Sequence, residues 1–318
     1  MNLKPMLEDI ADEVAIRYVY LYLLGRPVES EDILLAQLAA GRTIDQVRKD
    51  FMDGDEFSWF NGNDKEVALK YWNIQFKRLV GSFLSSDSID SIVMIQSCDP
   101  YRYVKLLNIS SRFNCNWCLN NGIQYHSKPK LYKGKSPHYA MFNKIYMFNE
   151  LLQSGYTGWA IWLDADGIVI DKRFDVRSFL HGARSDGYAF VMQHAGDVDG
   201  VEYWHNVNTG CFFADLSNPY ARFVISKWVE FYDTVFPLNI LDDIPWSSIM
   251  NDQYSFVSII RSLDGFSKKI LHYPTESVFT FNATRSDNLD ISAEDELEDR
   301  ARQLQHVGVQ FYPDIIDL

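Results

Sequence analysis

The residues with the clearest capacity for chemistry are Asp164 and Asp166, in the segment WAIWLDADGIVID that spans 159–171. Five apolar residues, Trp159 to Leu163, run directly into them, as a buried strand would run into the loop at its end. Side chains alternate along extended chain, so two carboxylates two positions apart face the same side. Together they offer hard oxygen ligands of the kind that manganese or magnesium takes, and a cation held this way can bind a diphosphate. Its contribution would be to neutralise charge building on a diphosphate leaving group. A pair of solvated turn aspartates lacks such an apolar strand with two tryptophans ahead of it.

Other reactive residues give weaker patterns. Cys98, Cys115, Cys118 and Cys211 are the four cysteines, too few for a disulfide framework in a chain of this length. Cys115 and Cys118 form a C-x-x-C pair, but a zinc site needs a second pair and a redox pair belongs at a helix start. This pair falls late in a helical stretch, which predicts reduced, partly buried thiols. His194 and His205 precede the apolar stretch NTGCFFAD, and His272 stands beside Tyr273-Pro274 as a weaker metal candidate. Trp204 and Trp246 suit either stacking on a ligand or burial.

Lys and Arg number 30 against 43 Asp and Glu, a net charge of −13. Such a chain repels phosphate backbones and anionic lipid at long range, which argues against nucleic acid as a partner. No basic leader precedes an apolar core, and nowhere do about 18 apolar residues run together as a transmembrane segment requires. The expectation is a cytoplasmic protein, with docking at the inner face of a membrane through a partner left open. Hydrophobic residues at 47% and aromatics at 15% supply a sizeable core.

The elements that must position the aspartates follow from periodicity. Residues 1–80 read as a small helical bundle. Leu7, Ile10, Ala11, Val14, Tyr18 and Leu21 recur at helical spacing, Ser30 caps a second helix carrying Ile33, Leu34 and Leu38, Gly41 ends it, and Thr43 caps a third through Val47 and Phe51. This bundle holds no acid–base or metal cluster and suits packing or contact with a protein partner. After a linker near 81–90, residues 90–318 alternate strand and helix. Ile92–Gln96 is a strand, a helix from about Tyr101 closes at Asn121-Gly122, and Ile123–His126 is a strand. Pro137 then begins a helix with Met141, Ile145, Phe148, Leu151 and Leu152 on one face, and Trp159–Leu163 follows. This order predicts an α/β domain with a parallel sheet covered by helices, ligands binding beyond the carboxyl ends of the strands.

Three resemblances extend this reading. The stretch "YLYLLGRPVESEDILLAQLAAGRTIDQVRKDFMDGDEF" resembles a helical domain found in bacterial surface proteins and beside bacterial glycosyltransferases, which implies bacterial origin. "LDADGIVI" resembles the first motif of haloacid-dehalogenase-type phosphatases, with Asp242-Asp243 as a later acidic pair. There, however, Ile168 replaces a hydroxyl residue and two strands precede a motif that usually opens its domain. "KIYMFNELLQSGYTGWAIWLDADGIV" looks like nucleotide-sugar glycosyltransferases of the GT-A fold, the Rossmann-like nucleotide-diphospho-sugar transferase fold. It is closest in pattern to glycogenin-like enzymes and to fungal and plant α-galactosyl-, α-mannosyl- and xylosyltransferases.

That last resemblance implies roles for particular residues. Lys144 matches the basic residue that helps hold the donor, with a longer helix–strand connection than in glycogenin. "NTGCFFAD", with Asn208, Thr209 and Gly210, is similar to the strand lining the sugar pocket. "NDQYSF" supplies Asp252 and Gln253, which match the Asp-Gln pair near the anomeric carbon, although an acid at a helix start also serves as a cap. "QHVGVQ" resembles the late His-x-x-Gly segment, making His306 a third metal ligand beside Asp164 and Asp166, although His306 and Gly308 stand one residue closer than that motif has them. Ser97, Cys98 and Asp99, ending the first strand, would meet the nucleoside, and Ala165 would line the donor site. The implied reaction is transfer of a sugar from a nucleoside diphosphate sugar to a hydroxyl of a glycan or glycoconjugate, with retention and with Mn2+ or Mg2+ as cofactor. A carbohydrate-binding protein that keeps the fold without turnover is the remaining alternative.

Overall fold

The computed structural model describes residues 10–11, 16, 19–20, 30–53, 90–134, 136–196, 203–235, 251–263, 265–273, 280–283 and 292–313 of the chain. All but the last residue of the expected break near 81–90, together with Trp246 and the Asp242-Asp243 pair, lie outside them. So do Leu7, Val14, Tyr18 and Leu21.

Near the N-terminus the caps fall where the sequence puts them. Ser30 Oγ accepts from Ile33 N at 3.3 Å to open α1 (Glu31–Ala39), and Gly41 ends it at φ +59°. Thr43 and Gln46 form a reciprocal capping box at the start of α2 (Ile44–Met52), satisfying two of the helix's orphan N–H groups. One expectation fails. Ile10 is not on a helical stripe but extended in an antiparallel bridge with Thr43, and it is exposed. Its neighbour Ala11 N donates to Arg42 O at 2.9 Å. Chain held straight by that bridge cannot share a helix face, and the buried helical residues that follow are Ile16, Val19 and Tyr20.

From residue 90 onward strand and helix alternate: β1 (Ile92–Cys98), α3 (Val104–Asn120), β2 (Gln124–Pro129), α4 (Asn143–Gln153), β3 (Trp159–Leu163) and β4 (Gly167–Val169). Then come α5 (Val176–Ser185), β5 (Phe190–His194), β6 (Val207–Asp215), α6 (Pro219–Val235), α7 (Asp252–Arg261), β7 (Ile270–Tyr273), β8 (Thr280–Asn282) and α8 (Ala293–Phe311). The helix expected from Pro137 starts as a 3-10 segment, Pro137–Phe142, and becomes α-helical at Asn143.

Six strands form one sheet in the order β2-β1-β3-β6-β5-β7, and β4 pairs with β8 in a separate ribbon. The period-2 pleat divides the core. Trp159, Ile161 and Leu163 face one apolar layer, with residues of α3, α5 and α8, while Ala160 and Trp162 face the other, with residues of α4, α6 and α7. Burial on both faces explains the unbroken apolar run of β3.

The sheet is mixed rather than wholly parallel. β1 is parallel to β2 and β3, and β5 to β7, but β6 runs antiparallel between β3 and β5. An antiparallel β6 sets its first residues beside the last residues of β3, with Leu163 opposite Cys211. Register along β5 jumps from Met192↔Phe212 to Gln193↔Asn208, so Thr209–Cys211 are skipped by β5. Bulges of this kind bend a strand and re-aim it beside a site.

Gly308 shows why α8 docks closely on α3. A Cβ there would stand 2.1 Å from a ring carbon of Phe113. Gly308→Val is therefore expected to lower stability by about 1–3 kcal/mol as an overpacked contact, read as a lower denaturation midpoint at unchanged slope.

Candidate active site

The Asp164–Gly167 turn is gripped from beneath by buried side chains. Gln96 Nε2 donates to Asp164 O at 3.0 Å, Ser110 Oγ to Ala165 O at 2.7 Å, and Asn114 Nδ2 to Gly167 O at 2.9 Å. Asn114 Oδ1 also accepts from Val169 N at 2.9 Å, and Gln96 Oε1 accepts from Asn114 Nδ2 at 2.9 Å and from Tyr125 Oη at 2.6 Å. From β6, Gly210 O accepts from Asp164 N at 2.8 Å. The carbonyls of Asp164, Ala165 and Gly167 and the N–H of Asp164 thus find partners inside the protein, and both aspartates line the cavity.

That cavity has a volume of about 510 Å³ and opens above the carboxyl ends of β1 and β3. At its floor lies Lys144, 2% exposed on its side chain. Its Nζ sits 2.5 Å from Asp252 Oδ2 and 3.3 Å from Asp164 Oδ1, and donates to Thr209 O at 3.1 Å. Burial alone would push this ammonium down, but the carboxylates of Asp164 and Asp252 outweigh it and hold its pKa above the ordinary lysine value. Asp164 shows the reverse balance. Desolvation by the cavity walls raises its carboxyl pKa, Lys144 opposes the rise, and Asp252 adds to it. Trp162 Nε1 donates to Asp164 Oδ1 at 2.7 Å.

Asp252 is the first residue of α7, yet it is not that helix's cap. Asn251 Oδ1 takes the capping bond from Tyr254 N at 2.7 Å. Asp252 is freed to turn inward, where Oδ2 accepts from Thr209 Oγ1 at 2.7 Å as well as from Lys144. Asn208 Oδ1 accepts from Gly210 N at 2.7 Å. A Cβ on Gly210 would stand 3.1 Å from Asp164 Oδ2 and 3.0 Å from Asn208 Oδ1, so a side chain there would crowd that carboxylate oxygen.

Ser97, Cys98, Lys144, Asp164, Ala165, Asp166, Asn208, Thr209, Gly210, Asp252 and Gln253 all line this one cavity. Two expected members do not. Asp99 is fully buried and its carboxylate accepts from the N–H groups of Tyr101, Arg102 and Tyr103, which lead into α3. It holds the chain in place of a missing side-chain cap on that helix and is not among the residues lining the cavity. His306 is exposed on α8. At 100° per residue, Arg300, Leu304 and Gly308 fall on the inward face of that helix and His306 points away. The segment resembling the His-x-x-Gly motif lies within α8, and that helix presents Arg300, not His306, to Asp166. Among the described residues no group of three or more His, Cys, Asp or Glu is placed to hold a metal.

Cysteine chemistry has no support in this cavity. Burial, reinforced by Asp99, pushes the Cys98 thiol well above its usual pKa, and burial carries that of Cys211 up to about 12. Cys115 and Cys118 are buried, unbridged thiols. His194 is spent on the loop after β5, accepting from Gly196 N at 3.2 Å. Trp204 packs against the second core layer.

Sequence reasoning missed Arg300, Glu296 and Arg102, which also line the cavity. Arg300 closes the acidic stretch 292–300, SAEDELEDR. The available signal was its spacing, since Leu297, Ala301 and Leu304 put Arg300 on the apolar side of that helix.

No family model matches the chain, and no curated protein matches it. Among solved structures, it is similar to a glycosyltransferase involved in the glycosylation of the major capsid of PBCV-1, at 12% identity and a TM-score of 0.48, over 68% of this chain and 99% of that one. It is also similar to the apo-form glycosyltransferase GlyE of Streptococcus pneumoniae TIGR4, at 8% identity and TM-score 0.38, over 70% and 63% of the two chains. A third likeness is to a putative glucose-1-phosphate thymidylyltransferase from Bacillus anthracis, at 9% identity and TM-score 0.36, over 68% and 96%. Likenesses this shallow do not decide an activity, and the site's own residues must carry it. Among the described residues no helix is long and apolar enough to cross a membrane.

Proposed function

We propose that this chain is a metal-dependent glycosyltransferase of GT-A type, moving a sugar from a nucleoside diphosphate sugar to a hydroxyl of a glycan or glycoconjugate with retention. One observation carries the reading most of the way. Lys144 gathers Asp164 from the end of β3, Asp252 from the start of α7 and Thr209 O from β6 around a single buried ammonium, and these are the segments that resemble the donor-binding motifs of that family.

The donor set fits a hard cation. Asp164 and Asp166 offer only oxygen, their side chains are 40% and 20% exposed, and bare Gly210 leaves Asp164 Oδ2 open. Magnesium-like ions are commonly held by one or two carboxylates, with substrate phosphates and water completing the shell, so a third protein ligand is not required. A cation bound there would offset the charge on the departing diphosphate. The chain's own residues do the rest. Lys144 adds a fixed positive charge beside Asp164, Thr209 and Lys144 orient the carboxylate of Asp252 toward the positive charge that develops on the sugar ring, and Asn208 and Gln253 offer amides to sugar hydroxyls. No residue is assigned as a nucleophile. The helices before residue 80 are assigned to packing or to contact with a protein partner.

The test is a panel of nucleotide sugars assayed for hydrolysis and transfer with and without Mn2+. Turnover that needs Mn2+ and falls at least ~100-fold in Asp166→Ala is the expected result, the size associated with losing one preorganised electrostatic group. Unchanged turnover in that variant rejects the assignment. Phosphate release from a generic phosphomonoester that depends on Asp164 would move the reading to a phosphatase.

A further inference from the structure

The cation that Asp166 meets in this structure is a guanidinium. Arg300 is buried, 5% exposed, and its Nη2 donates to Asp166 Oδ2. The rest of the group is poorly served. Nε and Nη1 have no hydrogen-bond partner among the described residues, and Nη1 is 3.7 Å from Glu296 Oε1. The guanidinium lies 5.6 Å from the Tyr103 ring and borders the cavity. A buried arginine with donors unfilled is costly unless something else completes its shell.

Lys144 differs in a way that matters. Its ammonium has Asp252 and Thr209 O as partners besides Asp164. Arg300 has Asp166 as its one hydrogen-bonded partner among the described residues, and Asp166 is the carboxylate that a divalent ion would claim. Two positive centres in contact with one carboxylate repel each other strongly in a partly buried site.

We propose that Arg300 and a divalent cation compete for Asp166, the guanidinium holding that carboxylate until the cation takes it and then turning its unfilled donors to anionic oxygens in the cavity. This rests on the metal-dependent reading above and specifies how the metal site is kept closed. By linkage, anything that gives the displaced guanidinium a partner favours the cation, and the cation favours that ligand equally.

The experiment is Mn2+ titration of the full chain without nucleotide, followed by the loss of the free-ion paramagnetic resonance signal. Wild type, Arg300→Gln, Arg300→Lys and Asp166→Asn are compared, with thermal unfolding as a check on folding. Arg300→Gln is expected to bind Mn2+ on the order of tenfold more tightly than wild type, within the usual range of such couplings. Arg300→Lys, which keeps the charge and loses the fork, should fall between the two, and it decides the matter if Arg300→Gln does not fold. Equal or weaker Mn2+ binding in the Arg300 variants, still abolished by Asp166→Asn, overturns the competition and leaves the cation site standing. Absence of Mn2+ binding in every protein overturns both the competition and the metal-dependent reading.

Discussion

Lys144→Met is expected to lower stability by about 3–5 kcal/mol, the cost of leaving buried charge without its partner, and to reduce turnover on the order of 1,000-fold. The ammonium is enclosed, and Asp252 is close to fully buried with it. Methionine matches the length of the stem and fills its space, so little of the loss would come from a cavity. What disappears is the charge between Asp164 and Asp252, leaving Asp252 with the Thr209 hydroxyl as its side-chain donor among the described residues. Asp164 would then face Asp252 with Trp162 Nε1 as its remaining side-chain donor. With Lys144 gone, burial and the Asp252 charge act unopposed by that ammonium on Asp164 and favour its protonated form, which removes negative charge that the site needs. Denaturant midpoints measure the first effect and single-turnover consumption of the nucleotide sugar measures the second. A stable, fully active Lys144→Met protein would show that the lysine is only a filler of space.

Asn114→Leu is the second large effect, and it acts from behind the site. The substitution is close to isosteric, yet it removes donors to Gln96 Oε1 and Gly167 O and the acceptor for Val169 N. Each buried group stripped of a partner costs about 1–3 kcal/mol, so a total near 3–5 kcal/mol is expected. The turn carrying Asp164 and Asp166 would lose its anchor on α3, and a displacement of about 1 Å in such a site is enough for a 100-fold loss. Because Gln96 reaches the same turn, Gln96→Leu and Asn114→Leu should not add. A double-mutant cycle is expected to give a coupling of about 0.5–3 kcal/mol, whereas strict additivity would mean that the two side chains support the turn independently.

Much of this arrangement was legible along the chain. The apolar run Trp159–Leu163, the caps at Ser30 and Thr43, and the glycines after α1 and α3 act through neighbours a few residues away, and local sequence specifies such contacts. The order in which Lys144, Asp164, Gly210 and Asp252 arrive also follows from motifs that are each short and local. Other features depend on packing between distant segments. That β6 runs antiparallel, so that Asn208–Gly210 abut Asp164, is settled by the path of the chain between sheet edges and not by residues 207–215 themselves. Whether Asp99 faces a ligand or three N–H groups depends on how α3 leaves β1.

Helix α8 is the sharpest case. Its sequence places His306 near Gly308, and the metal-ligand reading of that histidine followed the one-dimensional pattern. Packing of Leu304 and Gly308 against the core fixed the rotation of the helix, and rotation alone decided which side chain reached Asp166. The sequence by itself determined the identity of the groups and the elements that carry them. Only the tertiary structure decided which charges meet, because ion pairs at the cavity floor join residues 88 and 134 positions apart, as Asp164 with Asp252 through Lys144 and Asp166 with Arg300 do, and no local rule spans such distances.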